Sequence, residues 1–237
     1  MKSVVFSSSQ SIIVFLNYTT TSKHTIILSA KQVKHVAIAG NIGAGKTTLA
    51  TKLAEHFNWQ VHYEDVENNP YLADFYKDML RWSFNLQIYF LNSRFNQLIE
   101  IRKGEQTVVQ DRTIYEDARI FAPNLHHMGL MTERDFNNYK SLFNTICSQV
   151  SPPDLLIYLK ASLPVLVEQI QKRGRGYEEN LRLDYLKRLN NYYEEWISEY
   201  KDGPLLIINV DEINFADKPE DLGQVINRID AELNGLF

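Results

Sequence analysis

The segment Gly40-Asn41-Ile42-Gly43-Ala44-Gly45-Lys46-Thr47-Thr48 follows the apolar run His35-Val36-Ala37-Ile38-Ala39 and opens a stretch with helical patterning. This is the spacing GxxxxGK[ST] in its strand–loop–helix setting, and it restricts the chain more than any other feature. Glycines let such a loop curl until successive backbone N–H groups point at phosphate oxygens, and the following helix presents the positive end of its dipole. Lys46 has the reach for β- and γ-phosphates, and the Thr47 hydroxyl is of the kind that ligates Mg²⁺. Residues 40–48 are therefore expected to cradle a nucleoside triphosphate.

A strand feeding a phosphate loop belongs in an α/β sheet, and the rest of the chain alternates accordingly. Apolar strand candidates are 35–39, 60–63, 106–110, 154–160 and 205–210. Helical patterns separate them at 46–57, about 71–101, 116 to about 148, 163–172 and 183–200. Strands alternating with helices imply right-handed crossovers and a five-stranded, doubly wound parallel sheet. Residues 35–237 read as one domain. Residues 1–34 carry four lysines, no acidic residue and many Ser and Thr. They are expected to be an unstructured extension or an early-assigned start, with an organellar targeting peptide as the alternative.

Removing that segment leaves 21 basic against 29 acidic groups, an acidic body that argues against a nucleic-acid binder. No apolar stretch approaches the ~20 residues that span a bilayer. A single cysteine, Cys147, forbids an internal disulfide and fits a reducing compartment such as the cytoplasm.

Ligands of doubly wound sheets gather beyond the carboxyl ends of the strands, so the residues just after each strand carry the most information. Glu64, with Asp65, ends the second strand; a carboxylate there can take a proton from an attacking hydroxyl and would repel an acceptor already bearing phosphate. Asp111 and Arg112 end the third. The acid suits Mg²⁺ or, as an alternative to Glu64, the base role; the arginine suits a transferring phosphoryl group. Gln87, Phe90 and Arg94 share one face of the long helix, and Asp117 and Phe121 stand four apart on the next. An amide, an Arg–Asp couple and an aromatic face are what a nucleobase requires, although aromatic residues at this spacing also serve as core. Arg173 and Arg175 on a glycine-hinged loop are arranged as a lid over phosphates, or else as an ordinary basic helix end. Glu178 follows them.

Together these segments resemble the deoxynucleoside kinase family, which contains deoxycytidine, deoxyguanosine and deoxyadenosine kinases. The resemblance runs from about His35 to Leu222, on Gly40–Thr48, Glu64-Asp65-Val66, 81–87, 111–117 and Arg173-Gly174-Arg175. The stretch Glu67-Asn68-Asn69-Pro70-Tyr71-Leu72 looks most like bacterial members acting on purine deoxynucleosides. The resemblance implies a P-loop kinase fold with an arginine-bearing lid, ATP as donor, Mg²⁺, and a homodimer formed through the long helices. It implies Glu64 as activator of the 5′-hydroxyl and Tyr76 with Glu178 on the sugar 3′-hydroxyl. Gln87, Arg94 and Asp117 would read the base, with Phe121 stacking on it. Asp111 and Arg112 would serve the phosphates with lid residues Arg173 and Arg175, and Phe215 would contact the ATP adenine. Asp111-Arg112-Thr113 stands where the family commonly has Glu-Arg-Ser, and Asn69 where animal members carry tryptophan. Deoxyadenosine is the expected substrate, ahead of deoxyguanosine and deoxycytidine. The competing expectations are a thymidylate-kinase-like monophosphate kinase and a nucleotide-dependent switch. The guanine-specific Asn-Lys-x-Asp that a switch would favour is absent.

Overall fold

The computed structural model describes residues 4–6, 11–14, 26–29, 33–64, 66, 68–178 and 181–234. Residues 1–33 and 34–237 form two compact units. In the first, strands β1 (Val4–Phe6), β2 (Ser11–Val14) and β3 (Ile26–Ser29) pair antiparallel in that order. The expectation for residues 1–34 otherwise falls largely outside the described residues, as do Asp65 and Glu67.

The second unit is built on β4 (His35–Gly40), β5 (Gln60–His62), β6 (Val108–Asp111), β7 (Leu155–Lys160) and β8 (Leu205–Asn209). All pair parallel, in the order β5-β6-β4-β7-β8. This is the expected five-stranded sheet. β4 is buried throughout and β7 at all but its last residue, because helices cover both faces. The apolar runs that marked these strands are thereby explained. The chain fills one side of β4 with β5 and β6 and then crosses to the other with β7. The strand order therefore reverses at β4, where the phosphate loop leaves the sheet.

Helix α1 (Lys46–Phe57) has the expected bounds and buries Leu49, Ala50 and Leu53. Two helices that the patterning predicts as continuous are broken. The stretch 71–101 divides into α2 (Leu72–Lys77) and α3 (Met79–Lys103) at Asp78, whose side chain caps α3 by accepting from Arg81 N at 3.1 Å. An aspartate can compete with the helix for its own backbone, and here it wins.

The stretch 116–148 divides further. α4 (Ile114–Glu116) starts in a capping box with Thr113, and a π-helical turn over Asp117–Phe121 leads into α5 (Ala122–His127). Gly129, at φ +71°, then ends this run, and Thr132 caps α6 (Glu133–Cys147). α7 (Leu163–Arg173) and α8 (Leu183–Glu199) match expectation to within a residue or two. α9 (Pro219–Asn234) was not anticipated, although Pro219, Glu220 and Asp221 are an ordinary helix start.

Candidate active site

The phosphate loop takes its shape from backbone that only glycine tolerates. Gly43 and Gly45 sit at φ +87° and +90°. A Cβ on Gly43 would lie 2.8 Å from the Leu166 carbonyl oxygen, and one on Gly45 3.2 Å from the Phe215 ring. Phe215 thus packs behind the loop, buried, and is absent from the wall of the main cavity. Lys46 Nζ donates to Asn41 O at 3.0 Å across the loop. Burial, with Arg112 nearby, pulls its pKa down to about 8, the mark of an ammonium waiting for an anion. Asn41 turns its side chain away, onto α8; Ile42 lines the cavity, Ala44 is buried and Thr48 is exposed on α1.

Beside the loop, parallel register sets Asp111 opposite Ile38, so the end of β6 meets the start of α1. Thr47 Oγ1 donates to Asp111 Oδ2 at 2.5 Å, while Asp111 Oδ1 is buried without a partner. The aspartate, though shorter than glutamate, reaches the threonine. A hydroxyl and a carboxylate with one unclaimed oxygen fit Mg²⁺, which binds proteins through a few oxygen ligands and completes its shell with phosphates and water.

Glu64 stands at the end of β5, where α3 holds it. Arg94 Nη2 donates to Glu64 Oε1 at 2.8 Å, and Arg112 Nε lies 3.1 Å from the same oxygen. One turn further along α3, Gln97 donates to the Tyr63 carbonyl at 2.9 Å, and Gln110 of β6 braces Gln97 at 2.8 Å. Burial alone would raise the Glu64 pKa, but Arg112, Arg94 and Lys46 overcome it and bring the carboxyl down to about 2. Glu64 is therefore ionised at any working pH.

Arg94 itself is almost wholly buried and serves two acids. Its Nε lies 2.9 Å from Asp117 Oδ2 and donates to Thr113 O at 3.2 Å. Burial pushes Asp117 up to about 7 against the pull of Arg94 and Arg112. Arg94 is thus the link between the strand-end carboxylate and the Asp117 pocket, a second-row position rather than a wall of the cavity.

Glu64, Arg112, Lys46, Thr47 and Asp111 face one cavity of about 520 Å³, together with Tyr76, Gln87, Asp117, Phe121 and Glu178. The Arg112 guanidinium lies 4.6 Å over the Phe121 ring. Gln87 Oε1 is buried with no partner and so is suited to a ligand amine. Leu86, Phe90 and Phe75 supply apolar wall. Arg173 Nη2 grips both Glu178 oxygens at 2.6 Å, and Arg175 lies 3.9 Å from that carboxylate, so both arginines reach the same cavity.

Tyr185 and Thr51 on the wall carry no local sequence signal. Glu116, Tyr193 and Gln97 stand behind it. Of these only Glu116 was marked, by the Thr-x-x-Glu spacing of a capping box. Asn69 is buried and bonds Tyr71 N; its neighbour Asn68 lines the cavity instead.

Known proteins resemble this chain over most of its length. The family described as deoxynucleoside kinase matches residues 36–234. A deoxyadenosine kinase of Dictyostelium discoideum is 45% identical over 193 residues, covering 81% of this chain and 77% of its own. A deoxyadenosine/deoxycytidine kinase of Bacillus subtilis is 36% identical, covering 82% of this chain and 90% of its own. The structure of deoxyadenosine kinase from M. mycoides with products dCMP and a flexible dCDP superposes with a TM-score of 0.75 at 30% identity, covering 83% of this chain and 99% of that one. Matched by that family over residues 36–234 and by relatives at 36% and 45% identity over most of its length, the chain belongs to the deoxynucleoside kinase family.

Proposed function

We propose that the protein transfers the γ-phosphoryl group of ATP to the 5′-hydroxyl of a deoxynucleoside, with deoxyadenosine preferred over deoxyguanosine and deoxycytidine. The observation that carries this reading is the placement of an ionised Glu64 in the same cavity as Lys46 of the phosphate loop and the unpartnered Gln87 amide oxygen.

Glu64 accepts the 5′-hydroxyl proton as the new O–P bond forms and the bond to the β-phosphate oxygen breaks. A weak base suffices, because phosphoryl transfer is loose and the attacking oxygen gives up its proton late. Lys46, Arg112 and the lid arginines oppose the negative charge that spreads over the phosphoryl oxygens. Thr47 and Asp111 would hold Mg²⁺, which neutralises charge between β- and γ-phosphates when bound. Tyr76 and Glu178 take the sugar 3′-hydroxyl, and Phe121 stacks on the base.

For the base, Gln87 Oε1 and Asp117 can accept from an exocyclic amine while Arg94 holds Asp117 in place. Thymine offers no such amine, and its methyl would crowd the buried pair. A monophosphate acceptor is disfavoured by the Glu64 charge. Steady-state kinetics with the four deoxynucleosides, dAMP and dTMP test the reading. The highest kcat/KM is expected for deoxyadenosine; a thymidine or dTMP preference overturns it.

The same reading includes a homodimer, supported by the large apolar side chains Leu80 on α3 and Leu142 on α6 that the single chain leaves exposed. Light scattering after gel filtration should give twice the chain mass, and a monomer would refute the assignment. A cytoplasmic location rests on the single, unpaired cysteine. Import into an organelle, seen as cleavage of residues 1–34, would contradict it.

A further inference from the structure

Arg112 occupies a backbone conformation that non-glycine residues avoid, at φ +71°. Such strain persists only where the surroundings hold it: Arg112 N donates to Ile38 O at 3.0 Å, and the guanidinium is held on the side away from Glu64. Arg112 Nη1 donates to the Tyr193 hydroxyl at 2.8 Å, and that hydroxyl donates to Glu116 Oε1 at 2.7 Å. The direction is forced: a guanidinium has only donors, so the phenolic oxygen accepts from it and the phenolic proton must go to the carboxylate. Glu116 Oε1 also accepts from Gly40 N at 3.2 Å, and Oε2 from Thr113 N at 2.7 Å.

Tyr193 and Glu116 are both completely buried. One carboxylate therefore ties the first residue of the phosphate loop to the segment that carries Arg112. Helix α8 reaches the loop a second time through Asn190, three residues before Tyr193 and on the same face. Asn190 accepts from Asn41 Nδ2 at 2.8 Å and donates to Ala161 O at 2.9 Å.

We propose that Tyr193, acting with Glu116, is a positioning residue for phosphoryl transfer: it pins one end of the Arg112 guanidinium so that the other end faces the reacting phosphoryl group at a fixed place relative to the loop. This rests on the reading of Arg112 as a phosphoryl-contacting residue. Tyr193→Phe removes one oxygen atom from a packed site. It leaves Arg112 Nη1 only a 3.5 Å contact with Glu116, so the far end of the guanidinium loses its close partner and the group is held chiefly by Glu64 and the Phe121 face.

The test is a double-mutant cycle on Tyr193→Phe and Arg112→Lys, with deoxyadenosine and ATP, because residues acting through one another are non-additive. Tyr193→Phe is expected to lower kcat about tenfold or more while both KM values stay within about threefold, as misplacement of a group used in the transition state should. In the Arg112→Lys background the same change should cost less than about twofold, since no guanidinium remains to be placed. Equal losses in both backgrounds would make Tyr193 a packing residue and overturn the proposal. So would a Tyr193→Phe enzyme of parental kcat beside an impaired Arg112→Lys enzyme. An Arg112→Lys enzyme of parental kcat would overturn the underlying reading of Arg112 as well, and that result is distinguishable because it needs no Tyr193 variant. Should Tyr193→Phe fail to fold, Glu116→Gln, which keeps the shape and removes the charge, must show the same split between the two backgrounds.

Discussion

Glu64→Gln separates the chemical role of this carboxylate from its structural one. Its pKa falls from an ordinary 4.5 to about 2 in the folded protein, chiefly because Arg112 and Arg94 lie against it. A shift of that size corresponds to about 3 kcal/mol of preference for the charged form, at ~1.4 kcal/mol per unit. Replacing the carboxylate by a neutral amide of the same shape should therefore cost about 3 kcal/mol at neutral pH. In a domain of this size that is roughly 6–12 °C in thermal midpoint. The folded pKa is depressed, so this stabilisation is complete above pH 4.5 and is lost as the pH falls toward 2. The gap between parent and variant should close over that window. Activity should fall further than stability explains, by ~10²–10⁴ in kcat for loss of a general base. ATP affinity should change little, since Glu64 is not part of the loop. ADP release at 25 °C, where both proteins remain folded, gives kcat, and calorimetry at several pH values gives the rest. Turnover within a few-fold of the parent would refute the base assignment and move it to Asp111. A midpoint shift under about 2 °C would refute the electrostatic one.

Two further outcomes follow from the loop. Lys46 is held near pKa 8 by burial, and bound phosphates restore its charge, so nucleotide affinity should be flat below pH 8 and fall toward tenfold per unit above it. Titration calorimetry in buffers of different ionisation enthalpy should show proton uptake approaching one at pH 9; a constant Kd to that pH would contradict the assignment. Asp111→Asn removes the charge opposite Thr47 and should weaken the apparent Mg²⁺ affinity about tenfold or more, in line with loss of a carboxylate ligand. An unchanged Mg²⁺ dependence of the rate would place the metal elsewhere.

Much of the fold was legible because its signals are local. An apolar run buried on both faces announces a central strand, and the positive φ of Gly43 and Gly45 is a conformation that favours glycine. The strand-end residues Glu64, Asp111 and Arg112 could be picked out because a parallel sheet places its ligands there. Helix breaks were misread where a single capping residue, Asp78 or Thr132, outweighs a continuous amphipathic pattern. Both caps are ordinary signals, but each competes with many residues of periodicity, and only packing decides the contest.

What the sequence determined by itself, then, was the phosphate loop, the succession of strands and helices along the chain and the set of chemical groups at the strand ends. All of these depend on neighbours a few residues apart. Only the tertiary structure decided which cation serves which anion: Arg94 meets Glu64 thirty residues away, and Arg112 meets Tyr193 eighty-one away. It also turned Phe215 into support for Gly45 and made Arg94 a link between two acids rather than a contact of the cavity. Charge pairing in a buried site depends on distance and desolvation, which residue spacing along the chain does not encode.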